Sequence, residues 1–557
     1  MESRILNKHL ACSEDVTNIA QANTPIHRLP PELLATVFLL QKTFYWPNGT
    51  RIPWLTVSQV CRRWMDVAYE TATLWSSISI SRHLPPHIVE KSLQLSKSAP
   101  LDIKLHMFED EQQMNPPLED AVCRIRCFRA VISVHNWEIL RTLFTSPAPL
   151  LESLSLHLTQ PYHNNYYRRL DDLFSGITQQ LRYLSVSGCA VDFGSSFLAN
   201  LTILEISNPK PQLGALDLLA ALHKLPRLKS LRVSNVFQSD MEDNPIHMPI
   251  PRSTKVVKLS SLGLLSIYGL SYAQDLDFLS YLSFPSTTIL LFSSGYPHEY
   301  HDPLVAISDF WKIHASARQN FGNFAPTRID LSPLYGRLKL DIWDNQKLLC
   351  AFKLDNYADD EEEARYVISD DPEIKELFSR LSFLSVTEFS TNCYVSPFAW
   401  PIISSSFPNL QCLSVEEVTE EATVIQAIID DYKSKSSLLP NLKPIFPRLR
   451  SLSIAKAQFD DDCKKCLIQA LKCQKARSSS LNYLKLDECF GVDEKLVVSL
   501  REVEGLDVDW CAWSAEGRGA MNLINDEHKK AQDHGEIDLR RVKGFDSISA
   551  CYYMDTW

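Results

Sequence analysis

Two different hydrophobic periods divide this chain. Leu33, Leu34, Val37, Phe38 and Leu40 recur at steps of three and four, the spacing of one helical face. Val57, Val60, Cys61, Trp64, Val67 and Ala68 repeat that spacing, with Arg62, Arg63 and Asp66 on the other side, and predict a second helix. Pro30 and Pro31 suit the first turn of the first helix, and Glu32 sets a negative charge against the positive end of its dipole. A third short element ends in Leu74 and Trp75. Four of the 11 tryptophans, Trp46, Trp54, Trp64 and Trp75, fall between residues 25 and 80. A unit of roughly 55 residues buries only about 60% of its unfolded surface, so part of this apolar surface is expected to face a partner.

Further along, the period changes to Leu-x-x-Leu-x-Leu. It occurs as Leu151…Leu154-x-Leu156, Leu181…Leu184-x-Val186, Leu201…Leu204-x-Ile206, Leu228…Leu231-x-Val233 and Leu262…Leu265-x-Ile267. It returns as Leu381…Leu384-x-Val386, Leu410…Leu413-x-Val415, Leu449…Leu452-x-Ile454 and Leu481…Leu484-x-Leu486, with a degenerate copy at Val503…Leu506-x-Val508. Two units close on a cysteine, Cys189 and Cys489, and RLKSLRVSN closes similarly at Asn235. Each Leu-x-Leu reads as a short strand with one face buried. Helical stretches such as 216–225 and the helix-strand unit 87–105 lie between strands, so the strands run parallel and build a curved solenoid. Second leucines from Leu154 to Leu265 are 30, 20, 27 and 34 residues apart, an uneven array beside the ~20–29 of regular leucine-rich repeats. The stretch 285–380 is weakest in pattern, with STTILLF, PTRIDL and a hairpin over 337–354 turning at Asp344-Asn345.

The order Leu29-Pro30-x-Glu32, Val37-Phe38, Val60-Cys61-Arg62-x-Trp64, Ala68, Leu74-Trp75 resembles an F-box, and the run from 25 to 511 resembles the irregular leucine-rich-repeat F-box proteins of basidiomycete-type fungi. This copy departs in a longer link at 42–54 and in Thr71-Ala72-Thr73, where a proline is often found. The implied fold class is α/β: a three-helix F-box at 25–80 and a leucine-rich-repeat solenoid with a parallel sheet at 81–511, between a disordered segment 1–24 and a polar tail 512–557. The resemblance implies a substrate receptor that is not itself an enzyme. It would bind a Skp-type adaptor and, through it, a cullin and RING ubiquitin ligase, with the repeats holding a protein substrate. It points to Leu29, Pro30, Glu32, Val37, Val60, Cys61, Trp64, Leu74 and Trp75 as the adaptor face or the packing that presents it. The competing expectation is a repeat scaffold acting outside a ligase.

Charge and motifs narrow the remaining classes. A net charge of −11 lacks the basic footprint that phosphate neutralisation needs, so nucleic acid is not expected as a partner. No apolar run approaches the ~18 residues of a membrane span, MESRILNKHLACSEDV lacks a secretory h-region, and Cys551 is too far from the end for prenylation. A cytoplasmic or nuclear location is expected, and the 14 cysteines read as reduced small hydrophobes. On that reading the sequons at Asn48 and Asn200 are fortuitous. There is no Gly-Lys dipeptide, no His-Glu-x-x-His and no Gly-x-Ser-x-Gly, and Gly517-x-Gly519 lacks a third glycine. Cys463 and Cys466, with Cys473 and Cys489 downstream, have ligand-like spacing but share a helical stripe with Leu467, Ala470 and Leu471, the pattern of core thiols. His298, His301 and Asp302 read as a surface loop, and the acidic run 359–363 as a solvated one. No cofactor or metal is expected.

Overall fold

The structure is a computed structural model. It describes residues 25–44 and 53–511, except 82–83, 108–117, 160–168, 171–173, 175–177, 192–195, 238–249, 252, 270, 296–302, 320–324, 335–336, 345, 356–366, 369–371, 382, 417–422, 437–444 and 477–480. The segments 1–24 and 512–557, the sequon at Asn48, Trp46, the histidine pair at 298 and 301, the acidic run 359–363 and Gly517-x-Gly519 lie outside the described residues. Two compact units are present, divided between Asn200 and Leu201.

The first unit opens with helix α1 (Pro31–Phe44), a 3-10 turn at Pro53–Gln59, α2 (Arg62–Glu70) and the single turn α3 (Ala72–Trp75). Five parallel strands follow: β1 (Ser77–Ile80), β2 (Leu101–Met107), β3 (Ile125–Ser133), β4 (Ser153–Thr159) and β5 (Tyr183–Ser187). Helices α4 (Pro86–Leu95) and α5 (Trp137–Phe144) lie between them in the chain. Alternation decides which face is buried, because successive side chains on a strand point to opposite sides. Ile78, Ile103, Phe128, Leu154 and Leu184 are successive Cα partners, all buried.

The second unit continues the same construction with β6 (Ile203–Ser207), α6 (Ala215–Leu222), β7 (Ser230–Ser234), β8 (Leu264–Gly269), α7 (Tyr272–Ser280), β9 (Ile289–Gly295) and α8 (Pro303–Ala317). Three strands joined as an antiparallel meander come next, β10 (Arg328–Leu334), β11 (Arg337–Asp344) and β12 (Lys347–Asp355). After α9 (Pro372–Arg380), strands β13 (Glu388–Thr391), β14 (Cys412–Glu416), β15 (Ser451–Ala455), β16 (Tyr483–Asp487) and β17 (Asp507–Cys511) alternate with α10 (Trp400–Ser406), α11 (Thr423–Ser436), α12 (Asp461–Ala476) and α13 (Glu494–Arg501).

The expected hairpin at 337–354 is present and is built into the sheet. β12 pairs parallel with β9, and β10 pairs parallel with β13, so the chain passes β9, lays down β10 further on and returns through β11 to β12. β11 is therefore antiparallel to both of its neighbours, while its buried residues Leu340 and Ile342 keep the same core face as their partners. No helix among the described residues is long and apolar enough to cross a membrane.

A repeated turn explains how each strand ends. The residue after the strand is left-handed at Gly188, Asn208, Asn235, Lys456 and Glu488, with φ from +44° to +75°. In four of these the N–H donates to a carbonyl in the last two residues of the neighbouring unit's strand: Asn208 to Ser234, Asn235 to Tyr268, Lys456 to Asp487 and Glu488 to Cys511, at 2.7–3.1 Å. Glycine and asparagine reach this region at little cost, whereas Lys456 and Glu488 are held in it by that bond. The turn also corrects the repeat frame. Asn235 matches Gly188, and the buried Val236 is what corresponds to Cys189 and Cys489.

A second correction concerns Leu381…Leu384-x-Val386. Leu384 is 73% exposed in the turn before β13, and Phe389 is the buried partner of Leu413. The working frame is Val386-x-x-Phe389-x-Thr391, five residues later, because phenylalanine and threonine fill the inward positions that a search for leucine passes over. Phe389→Ala is expected to cost about 3–5 kcal/mol in urea unfolding, while Leu384→Ser stays within about 0.5 kcal/mol of the parent. Gly188→Ala would place a Cβ 2.3 Å from the Leu158 carbonyl oxygen on a left-handed backbone. Its expected cost is about 1–3 kcal/mol, read as a lower urea midpoint.

Candidate functional site

The front helices hold together around one small core of Leu34, Phe38, Val57, Val67, Ala68, Leu74 and Trp75, with Ala35, Leu39, Trp64, Tyr69 and Leu95 packed against it. Leu34 and Phe38 are one turn apart on α1 and point the same way. Phe38 meets Trp64 of α2 with ring centroids 5.1 Å apart, and Trp75 meets Tyr69 at 5.4 Å. The Trp75 indole N–H donates to the Ala68 carbonyl at 2.8 Å, which ties α3 under the end of α2. Lys91 of α4 donates to the Tyr69 hydroxyl at 3.0 Å and lies 4.9 Å over its ring. The Arg63 guanidinium donates to the Leu29 carbonyl, which fixes the chain where it enters α1.

The second predicted helix is shorter than its pattern. A 3-10 turn ends at Gln59, Cys61 is extended with φ −160° and ψ 167°, and α2 begins at Arg62. The apolar spacing across this break is therefore shared by two elements at different angles, which is why Val57 is buried and Val60 is not.

The residues singled out in the sequence separate into three groups. Leu74 and Trp75 are fully inside the core, so they present the site and form no part of its surface. Leu29, Cys61 and Trp64 are half-buried. The Trp64 indole nitrogen is enclosed and finds no acceptor. Pro30, Glu32, Val37 and Val60 are exposed, Val37 at 41% and Val60 at 53%.

Two further residues belong with the exposed group. Leu33 is 53% and Leu40 56% exposed, and with Val37 they occupy positions i, i+4 and i+7, an arc of about 60° on α1. The stripe read from sequence as one face is two adjoining faces: Leu34 and Phe38 turn inward, while Leu33, Val37 and Leu40 turn outward. Single exposed apolar residues are ordinary on a protein surface, whereas these three form one contiguous apolar row on α1. Complete burial of such a side chain is worth about 1.5–3 kcal/mol, and roughly half of that remains available here. The distinguishing signal in the sequence is the pairing Leu33-Leu34 and Val37-Phe38. Two adjacent apolar residues repeated one turn apart make a band too wide for one contact.

Cys463 and Cys466 are half-buried on α12, and desolvation pushes the Cys463 thiol up to about 11. Cys489 is buried, its thiol pointing to the Ile454 carbonyl at 3.5 Å. Among the described residues, no group of three or more His, Cys, Asp or Glu is arranged to hold a metal ion.

Comparison with known proteins bears on the front of the chain. No curated protein matches this chain over its sequence. Among solved structures, a crystal structure of a Bacteroides fragilis protein aligns over 75% of this chain and 76% of its own, at 8% identity and a TM-score of 0.17, too low to carry a conclusion. Residues 26–81, the segment that holds the small core and the exposed stripe of α1, match the F-box-like family and form an F-box-like domain.

Proposed function

We propose that this chain is the substrate-recognition subunit of a Skp-cullin-F-box ubiquitin ligase. Residues 25–80 dock a Skp-type adaptor, which brings a cullin and a RING protein. Residues 81–511 form an irregular leucine-rich-repeat solenoid that holds a protein substrate. The observation that carries this reading is the two-sided helix α1 inside the F-box-like segment. Its inner side completes a core that folds within the chain, and its outer side leaves Leu33, Val37 and Leu40 in water.

The work done by such a subunit is positional. A bridge that holds a substrate lysine near a ubiquitin-charged enzyme raises its effective concentration and supplies no reacting group of its own. Leu29, Pro30, Val60, Cys61 and Trp64 border the exposed stripe on this reading, and Glu32 favours the helical start through the dipole. Leu74 and Trp75 act one step back, by fixing α2 and α3 beneath α1. Parallel strands with one polar face support the repeats as the substrate-holding part.

Capture of a purified Skp-type adaptor tests the reading. The parent chain is expected to retain the adaptor and, with it, the cullin. Val37→Asp combined with Val60→Asp should weaken that capture at least about tenfold, with an unchanged urea midpoint. Trp75→Ala should instead destabilise the fold by about 3–5 kcal/mol, read as a lower urea midpoint, because it empties a buried site and leaves the Ala68 carbonyl without its donor. Undiminished capture by the double variant would overturn the docking assignment. Adaptor retained without cullin would favour a scaffold outside the ligase.

A further inference from the structure

The stacked side chains of the second unit end on an incomplete layer at β17. Val415, Ile454, Leu486 and Trp510 are successive Cα partners at inward positions. The first three are at most 1% exposed, whereas Trp510 is only half-buried. Among the described residues β17 pairs along one edge, with β16. Its Asp507 N–H donates to the Asn482 carbonyl at 2.8 Å, and its Cys511 carbonyl accepts from Glu488 at 3.1 Å. Residues 507, 509 and 511 therefore turn their main chain toward β16, and Val508 and Trp510 turn theirs toward the open edge. The Val508 carbonyl accepts there from the Arg501 guanidinium at 3.0 and 3.3 Å. The Val508 N–H and both main-chain groups of Trp510 are left for a further strand. An open edge of this kind accepts an extended segment that reaches it, so folded proteins cover or blunt it.

Two carboxylates mark the same strand. Asp507 and Asp509 flank the buried Val508 at exposed outward positions. Neither has a basic partner at ion-pair distance among the described residues. Asp509 accepts from the Tyr483 hydroxyl at 3.1 Å, and Lys485, its Cα partner, gives its Nζ to Asp487 at 2.8 Å.

The chain itself holds the complement. Forty-six residues, 512–557, follow β17 and lie outside the described residues. Within them Arg541 and Lys543 are the one pair of arginine or lysine residues separated by a single apolar residue, Val542. The 29 residues from 512 to 540 exceed the dozen or so that a parallel crossover needs. Val542 follows Val508 by 34 residues, the interval between Leu231 and Leu265 on β7 and β8.

We propose that residues 541–544 add a parallel strand to the open edge of β17, with Arg541 beside Asp507, Val542 beside Val508 and Lys543 beside Asp509. Opposite charges directly across neighbouring strands are favourable, and this register provides two such pairs. Gly544 comes beside Trp510, where an aromatic ring can fold over a residue without a side chain. A second copy of the chain fits less well, because two β17 strands side by side set carboxylate against carboxylate. The added strand closes the end of the repeats and keeps the β17 edge from pairing with another chain.

Hydrogen exchange of the full chain, followed by mass spectrometry on the peptide covering 506–511, tests the assignment. Arg541→Glu, Lys543→Glu and Asp509→Lys are each expected to speed exchange there about tenfold relative to 483–487. Asp509→Lys combined with Lys543→Glu should return it to within about twofold of the parent, because the pair is restored with its charges exchanged. Lys530→Glu, a charge reversal outside the segment, should leave it unchanged. If Asp509→Lys fails to fold, Arg541→Glu and Lys543→Glu carry the comparison, since both change residues beyond β17. Unchanged exchange in those two variants, an equal rise in Lys530→Glu, or a folded double variant that exchanges no more slowly than the single ones would overturn the proposal. Protection of 506–511 that is lost on dilution of the parent would assign the edge to a second copy and overturn it as well.

Discussion

The stacking of one buried side chain per strand on its counterpart in the next strand governs this protein. Each parallel strand carries inward residues in register with its neighbours, as in the run Phe389, Leu413, Leu452, Leu484 and Val508. A slip of one residue would turn that whole set into water, so the register is strongly determined. Helices and turns adapt to it. The left-handed residue after the strand lets its own amide bond the end of the neighbouring strand, and the uneven repeat lengths are absorbed between strands. Even the antiparallel β11 obeys the rule, keeping Leu340 and Ile342 on the core side while reversing direction.

At the front of the chain the same economy of apolar surface acts on a smaller scale. A core of seven buried side chains suffices to orient three helical pieces, but α1 carries more apolar residues than that core can take. Leu34 and Phe38 fill it, so Leu33, Val37 and Leu40 are forced outward by helix geometry alone. The docking proposal is thus a consequence of packing arithmetic on one helix. Register also decides which polar residues meet on the outer face of the second unit's sheet. Asp330 and Asp341 lie eleven residues apart in sequence and become direct partners only because β10 and β11 form a meander.

Much of this was legible in the sequence wherever the signal is local. Leu-x-Leu alternation gave the strands around Leu154, Leu184, Leu231, Leu452 and Leu484, and the hairpin over 337–354 was visible from its own alternation and turn. Frames failed where residues other than leucine do the filling, as at Phe389 and Thr391, and where a chain break hides inside a continuous period, as at Cys61. The division of α1 into two faces was missed because adjacent leucines look like one broad stripe until a partner for one of them is known. Nothing local marks Asp341, whose enclosure comes from strands brought beside it by long-range pairing.

The claim on which the functional account turns is that the outer face of α1 is covered by a second polypeptide. Hydrogen exchange of the full chain with and without a purified Skp-type adaptor measures that directly, since added burial slows exchange where contact is made. The account predicts slowed exchange concentrated in residues 29–44 and 56–64, with little change in 203–511. Unchanged exchange across 29–44 with the adaptor at saturation, or slowing confined to the strands of the second unit, would contradict it.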